Sequence, residues 1–318
     1  MKSQRHESLH RTLNLLGYPD PHEITLIPHS TSTTNYRISF DNQAPILARY
    51  YKQGIRDAGF ESRLLRKLYD HQISVPEPLH FQVDEEDPFC LLEFVGGDIL
   101  GNHLMTNISE KTRQTLEMQY IKTLSAIHLL DWQVLFPDSR VPDFNKNPHA
   151  YADELFKRRQ RDVATFDVKK ECKTILKWLN KHKNQIETIQ GQFLHGDYHP
   201  FNIISHNQGL TVIDWEGVDI GDNREDLAFA LMTLGSLNNA IGRETTVEKR
   251  LLELYAGDGH NITNLDFFYV TAALHRVVKL YRVLTPEFSE YELYSQVFFY
   301  LKQKIEDITD LNIDLTLG

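Results

Sequence analysis

Cysteine is scarce in this chain: Cys90 and Cys172 are the only two among 318 residues. Cys90 lies in an apolar, strand-like run and Cys172 in a charged, helix-like one, so we expect two free thiols in a reducing compartment rather than a disulfide-stapled fold. Long hydrophobic runs are also missing, since no apolar stretch approaches the roughly 18–20 residues that span a bilayer. No apolar signal core follows the first seven residues. The sequence therefore predicts a soluble, cytoplasmic protein with no membrane partner.

Positively charged residues are also fewer than negatively charged ones. The chain carries 34 lysines and arginines against 44 acids, a net charge of −10 at pH 7. This balance argues against bulk electrostatic binding to nucleic acid or to an anionic membrane surface. The excess of acids runs through both halves of the chain, so composition alone identifies no cationic substrate. The content of 41% hydrophobic and 25% charged residues is that of a globular protein, long enough for two lobes.

The pattern of apolar residues changes near residue 95. A short helix is predicted at 3–16, one main helix at 56–72, and strands at 23–28, 36–40, 46–51, 81–83 and 89–94. A polar turn is expected at Ser30–Asn35. After Gly96 and Gly97 the pattern is mostly helical, at 109–130, 149–189, 223–240, 245–256, 264–283 and 287–308. This arrangement indicates a small lobe over 1–94, a hinge, and a larger lobe over 95–318.

Three polar residues stand out within 191–216, which read as short strands joined by loops. Asp197 ends a His-Gly-Asp sequence, Asn202 follows five residues later, and Asp214 comes after a further strand. Kinase-like phosphotransferases use this order: one carboxylate orients the substrate hydroxyl, and an amide and a second carboxylate hold Mg²⁺. Each residue alone would be ordinary in a surface turn. Together they predict Asp197 as the catalytic residue and Asn202 and Asp214 as metal ligands.

A histidine pair in the same loop raises a different hypothesis. His195 and His199 are four residues apart, a spacing that binds zinc on a helix and would suit a metal-dependent hydrolase. Gly196 and Pro200 argue against a helix at this point. We therefore expect His195 to brace the loop by hydrogen bonds, and His199 to do the same or to approach the phosphate.

These motifs resemble those of the aminoglycoside phosphotransferase / choline kinase family. The match covers His-Gly-Asp-x-x-x-x-Asn at 195–202, Ile213-Asp214-Trp215, Gly221-Asp222 and Asp226-Leu227-Ala228, and the similar layout runs from about 24 to 235. The resemblance implies an α+β, two-lobed protein-kinase-like fold with a small antiparallel sheet in the N-terminal lobe. It also implies ATP or GTP with Mg²⁺ and an acceptor hydroxyl on an aminoglycoside-like compound, an amino alcohol or a sugar-like metabolite.

The resemblance further assigns the nucleotide site to the first lobe. The phosphates would meet a loop without glycine, through Ser32, Thr33, Thr34 and Asn35. Arg49 would stand where many family members have lysine, held by Glu61, and Lys52 is a rival that strand alternation points to the other face. Backbone groups of Glu93 and Val95 would meet the adenine, between apolar walls that include Leu47 and Ile203. A plain hairpin turn and ordinary surface charges are the alternatives for these residues.

Acceptor contacts are expected near the loop and on a late helix. The candidates are Tyr198, His199, Trp215, Glu216, Asp219, Asp222 and Arg276, with Tyr269 and His275 on the same late helix as Arg276. For each of them, packing or solvation is the competing explanation. Asp226 is expected to have a structural role at the start of its helix.

A second function is compatible with the same fold. A catalytically silent pseudokinase would bind nucleotide and serve as an interaction module. The intact Asp197, Asn202 and Asp214 argue against it, because a binding module needs no catalytic aspartate. Replacement of Asp197 by asparagine distinguishes the two, since only an enzyme would lose turnover.

Overall fold

The chain folds into two compact units that do not follow a single cut in the sequence. In the computed structural model, the described residues are 2–28, 33–51, 55–82, 88–136, 147–243, 247–285, 291–315 and 317. The first unit contains Met1–Gly97 and His206–Ile213, and the second contains Asp98–Ser205 and Asp214–Gly318. The first segment thus ends three residues beyond the expected 94, and a short later segment joins it.

An antiparallel sheet forms the centre of the first unit. Its elements are α1 (Lys2–Leu15), β1 (Glu23–Ile27), β2 (Thr33–Ser39), β3 (Ile46–Tyr51), α2 (Ile55–Asp70), β4 (Pro78–Gln82) and β5 (Phe89–Glu93). The strand order is β1-β2-β3-β5-β4, with every neighbouring pair antiparallel. Alternate residues of β3 point to opposite faces, so Ile46, Ala48 and Tyr50 join the core with Leu9 and Leu13 of α1.

Strand β2 begins earlier than expected. Thr33, Thr34 and Asn35 are paired with Tyr51, Tyr50 and Arg49 of β3, so they belong to the strand and not to the polar turn. The β-branched threonines suit a paired strand, which explains why the polar composition misled the turn prediction. Ser32 and Lys52 lie outside the described residues.

A further strand completes the first unit from a distant part of the sequence. β9 (Gly209–Val212) follows β8 (Ile203–His206), which begins in the second unit. The Val212 N–H donates to the Ser74 carbonyl over 2.8 Å, and the hydroxyls of Ser74 and Thr211 are 3.0 Å apart. These two bonds join residues far apart in the sequence, which explains why 206–213 is grouped with the first unit.

Helices dominate the second unit. Its elements, apart from β8, are β6 (Asp98–Ile99), α3 (Leu100–Met105), α4 (Glu110–His128), α5 (Trp132–Leu135), α6 (Pro148–Thr165), α7 (Lys173–His182), β7 (Gly191–Leu194), β10 (Asp219–Asp222), α8 (Asn223–Ala240), α9 (Val247–Gly257), α10 (Leu265–Val283) and α11 (Tyr291–Thr309). α10 packs against α6, α8 and α11. β10 pairs antiparallel with β7 and so brings the start of α8 beside the His-Gly-Asp loop.

Two sequence expectations about single features can be checked directly. Both cysteines are free, as expected, and both are buried. Across the part of the chain that is described, no helix is both long and apolar enough to cross a bilayer.

Candidate functional site

One aspartate holds the loop that carries Asp197. The Asp226 carboxylate, buried on α8, accepts hydrogen bonds from the backbone N–H of His195 (2.7 Å) and of Gly196 (3.0 Å). Bonds from two backbone donors to one charged acceptor fix the loop in position and direction. Asp226 has the structural role expected of it, but it secures the loop rather than the beginning of its own helix.

A glycine brings this loop against the loop that carries Asp214. Gly196 has φ +80°, and a Cβ atom there would lie 1.9 Å from the Gly217 carbonyl oxygen. Only glycine therefore fits both the backbone conformation and the close approach. Because Gly217 lies three residues after Asp214, the two loops are fixed relative to each other.

The Asp197 carboxylate faces donors on its own loop. The Asn202 side-chain N–H₂ donates to the Asp197 carbonyl (3.0 Å) and to its carboxylate (3.2 Å). His199 Nδ1 accepts from the Phe201 N–H, which leaves the proton on Nε2, 3.5 Å from the Asp197 carboxylate. Burial raises the pKa of Asp197, but His199, His195 and Arg276 outweigh it and the pKa lies below its usual value. Asp197 is therefore ionised at neutral pH.

Asn202 and Asp214 carry oxygen atoms of the kind that a magnesium ion binds, and their role as metal ligands stays a prediction. Both hydrogen bonds of Asn202 use its amide nitrogen, so its amide oxygen is the atom left for a cation. Asp214 is half-buried and in the left-handed region, φ +66°, just before the short 3-10 turn Trp215–Gly217. One amide oxygen and one carboxylate fit Mg²⁺, which takes few protein ligands and keeps several waters. Within the described ranges, no three histidine, cysteine or acidic side chains converge as a metal site.

Three of the acceptor candidates are buried and have other partners. The Tyr198 hydroxyl donates to the Tyr120 carbonyl (2.7 Å), and Trp215 stacks on the ring of Phe193. Asp222 caps α8 and pairs with the Arg224 guanidinium at 2.6 Å. These side chains were proposed because they are close to the motif in sequence, but the structure places them in the interior. Their side chains have these partners inside the second unit, and an acceptor contact by any of them stays a prediction.

The first unit holds most of the residues predicted to meet the nucleotide. Arg49 and Glu61 form an ion pair of 2.8 Å, with 11% and 5% of their side chains exposed. The Glu93 N–H donates to the Glu77 carbonyl (2.9 Å), so it is not available to an adenine edge. Leu47 lies half-buried on β3 and Val95 half-buried after β5, while Ile203 is fully buried in the second unit. The nucleotide contacts of all these residues stay predictions.

A cavity of about 240 Å³ in the second unit opens beside Asp197. Asp219 and Arg276, two of the predicted acceptor residues, line it, and so does His275. Of the other candidates, Glu216 is exposed and His199 packs beside the ring of Phe229 at 5.9 Å.

Sequence reasoning missed four charged residues of this cavity. They are Arg158, Arg159, Glu225 and Lys279. Lys279 follows Arg276 by three positions on α10, a spacing that places two side chains on one helix face. That spacing was the signal in the sequence that could have added Lys279 to the candidates. Arg158 lies in a helix rich in charge, where no pattern separates it from its neighbours.

The comparisons with known proteins agree on the fold. The model of the family described as "Phosphotransferase enzyme family" matches residues 23–259. A presumed aminoglycoside phosphotransferase from Ralstonia eutropha JMP134 is similar with a TM-score of 0.69 at 17% identity, covering 94% of this chain and 98% of that one. Choline kinase from Cryptosporidium parvum Iowa II gives 0.59 at 15%, covering 91% and 90%. APH(2″)-IIIa in complex with GDP and kanamycin gives 0.63 at 13%, covering 94% and 99%.

These similarities confirm the predicted fold class and the resemblance on which it was based. A curated plant protein, "Probable acyl-CoA dehydrogenase IBR3" from Arabidopsis thaliana, is 23% identical over 250 residues. The alignment covers 70% of this chain but only 30% of the plant protein, so the chain matches less than a third of that relative.

Proposed function

The chain belongs to the phosphotransferase enzyme family, and we propose that it transfers the γ-phosphoryl group of ATP or GTP to a hydroxyl group of a small molecule. The observation that carries the proposal is the fixed position of Asp197. Its loop is held by Asp226, its carboxylate is ionised, and it opens onto a cavity that can receive an acceptor. A position fixed before binding is what an in-line transfer requires of the group that orients the nucleophile.

In the proposed reaction Asp197 accepts a hydrogen bond from the acceptor hydroxyl and turns its oxygen toward the γ-phosphorus. The new bond joins that oxygen to phosphorus, while the bond from phosphorus to the β–γ bridging oxygen breaks. The hydroxyl proton passes to Asp197, and the nucleoside diphosphate leaves. Asn202 holds the Asp197 carboxylate in place through its amide nitrogen.

Cations supply the remaining part of the proposed chemistry. Bound at Asn202 and Asp214, Mg²⁺ would neutralise charge on the phosphate oxygens. Arg49, kept in one orientation by Glu61, would bind the α- and β-phosphates as a bidentate donor in place of the usual lysine. We also infer a cytoplasmic location, where free thiols such as Cys90 and Cys172 persist and nucleotide is available.

The proposal is tested by Asp197→Asn, with Asp20→Asn as the matched control because Asp20 is exposed and distant from the motif in sequence. The measured quantities are acceptor-dependent release of ADP or GDP across a panel of alcohols with Mg²⁺, and the nucleotide Kd. We expect Asp197→Asn to lower kcat by about 10²–10⁴-fold, the usual contribution of a positioned base, with the nucleotide Kd unchanged. Asp20→Asn should leave both quantities unchanged. Equal turnover in the two variants, or no nucleotide binding by the wild-type protein, would contradict the proposal.

A further inference from the structure

Two positive side chains face the cavity beside Asp197 from one helix. Arg276 and Lys279 lie three residues apart on α10, and both line the cavity. Neither forms an ion pair with a carboxylate among the residues that the structure describes. Burial lowers the pKa of Lys279, repulsion from Arg276 lowers it further, and attraction by Asp162 and Asp197 only partly offsets the shift, so the two positive groups are close enough to interact.

The acidic groups of the same cavity already have partners. Asp226 accepts the two backbone N–H groups described above, and Asp219 lies 3.9 Å from Arg158. Glu225 accepts a hydrogen bond from the Tyr151 hydroxyl. Burial raises the pKa of Glu225 to about 7, so a large fraction of it is uncharged at neutral pH.

The other basic groups of the cavity are also paired. Arg159 and His275 share the Asp162 carboxylate, at 3.1 and 2.7 Å. Asp197 is the carboxylate left at the cavity, and the proposed reaction directs it to the hydroxyl. Asp197 and Asp162 attract the cations on α10 through space, but neither forms an ion pair with Arg276 or Lys279, and Asp162 already binds Arg159 and His275. The charge that no direct ion pair between described residues neutralises at the cavity is therefore positive, and it lies on Arg276 and Lys279.

We propose that the acceptor carries an anionic group, a carboxylate or a phosphate, that Arg276 and Lys279 bind while the acceptor hydroxyl reaches Asp197. Arginine and lysine bind such oxygens by charge-assisted hydrogen bonds. A polycationic acceptor would instead be repelled by Arg276 and Lys279, and the carboxylates that could bind it already have partners in the protein. The cavity of about 240 Å³ lies below the roughly 300–1,000 Å³ of sites for drug-sized ligands, which favours a compact acceptor. This inference rests on the proposed function and narrows its substrate class.

A series of three-carbon alcohols that differ only in the group at one end tests the proposal on the full-length protein. The probes are glycerate, glycerol 3-phosphate, the neutral glyceramide and glycerol, and the cationic 3-amino-1,2-propanediol. Kd is measured for each by ligand-observed NMR in the presence of Mg²⁺ and nucleotide, and kcat and KM for each probe that is phosphorylated. We expect at least one anionic probe to bind about tenfold more tightly than the neutral and cationic ones. Whether glycerate or glycerol 3-phosphate binds more tightly then shows whether the anionic group of the acceptor is a carboxylate or a phosphate.

The variants Arg276→Gln and Lys279→Gln should each weaken binding of the anionic probe about tenfold and leave the neutral probes unchanged. Arg276→Lys keeps the charge and should restore part of the affinity. Arg282→Gln, an exposed cation on the same helix, is the matched control and should change nothing.

Three outcomes overturn the inference. The first is equal or tighter binding of the neutral or cationic probes. The second is binding of no anionic probe above its neutral counterpart. The third is a loss of kcat in Arg276→Gln that is the same for every acceptor, which would assign the cations to the phosphoryl group in transfer. The proposed function fails separately, through absent nucleotide binding or an unaffected Asp197→Asn variant.

Discussion

At the scale of single residues, Gly196 decides whether the Asp197 loop can form. Its positive φ and its contact with the Gly217 carbonyl leave no room for a side chain. Gly17 separates these two effects, because it has nearly the same φ, +78°, and nothing within 4 Å of an added Cβ.

We therefore expect Gly17→Ala to lower the free energy of unfolding by about 1–2 kcal/mol, the penalty for the left-handed conformation alone. Gly196→Ala should lower it further, because the Gly217 loop must also move, and it should reduce kcat severely. Urea denaturation and the phosphotransferase assay measure the two effects. Equal stability of the two variants would contradict the steric argument.

Glu225 makes a second residue-scale prediction, on pH. Its pKa is raised to about 7 in the folded protein by burial, against 4.5 for a free side chain, although Tyr151 and Arg158 oppose the rise. The folded state then binds the proton more tightly than the unfolded state between pH 4.5 and 7. The stability contribution is complete below pH 4.5 and is lost as the pH rises through 7.

Relative to Glu225→Gln, the wild-type free energy of unfolding should therefore fall by about 3 kcal/mol from pH 4.5 to 7. Urea denaturation at closely spaced pH values gives this difference. A difference that stays constant over the range, or that grows with pH, would contradict the raised pKa.

At the scale of elements, the N-terminal caps of helices α4 and α8 differ in burial and in the number of their partners. Ser109 accepts from the Thr112 N–H at the start of α4 and is exposed. Asp222 accepts from the Arg224 N–H at the start of α8, and its carboxylate also pairs with the buried Arg224 guanidinium. The two helices thus allow the capping bond to be compared with and without a buried ion pair.

Ser109→Ala should destabilise the protein by about 1 kcal/mol, as loss of an exposed cap does. Asp222→Ala should cost about 3–5 kcal/mol, because it leaves a buried guanidinium without its carboxylate. Arg224 keeps its bonds to the Thr188 and Thr263 carbonyls, so the lower end of that range is expected. Thermal and urea denaturation of both variants test the comparison, and equal losses would show that the buried pair contributes nothing.

The elements also show how far the sequence alone could lead. Asp197 and Asn202 lie in one loop, so the sequence alone was enough to predict that they come together. The hydrogen bonds of Asp226 to the loop depend on the pairing of β10 with β7. The spacing of Arg276 and Lys279 predicts that they share a helix face, but only the packing of α10 shows that this face lines the cavity. Tyr198 and Asp222 were expected at the acceptor because they are close in sequence, but packing against Tyr120 and Arg224 places them inside.

At the scale of the whole molecule, the chain passes between the two units three times, at residues 97–98, 205–206 and 213–214. β9 belongs to the first unit although it lies in the sequence between β8, which begins in the second unit, and β10, which lies within that second unit. Because β9 is connected at both ends to the second unit, unfolding of that unit would disrupt the hydrogen bonds between β9 and Ser74 in the first.

We expect both units to unfold in one transition. The three tryptophans, Trp132, Trp178 and Trp215, all lie in the second unit, so their fluorescence follows that unit alone. Far-ultraviolet circular dichroism follows both units. The urea midpoints from the two signals should coincide. A separate transition seen only by circular dichroism would show that the first unit unfolds independently.

The left-handed backbone of Asp214 has a consequence for how this protein could change over time. Aspartate, asparagine and glycine are the residues that adopt such a conformation readily. A change of one base turns an aspartate codon into an asparagine codon, which keeps the backbone and removes the charge proposed to hold the metal. A glutamate, which keeps the charge, fits the backbone poorly. At this position a single base change can therefore give a folded protein without the proposed metal-binding charge, whereas replacement by the other carboxylate residue strains the backbone.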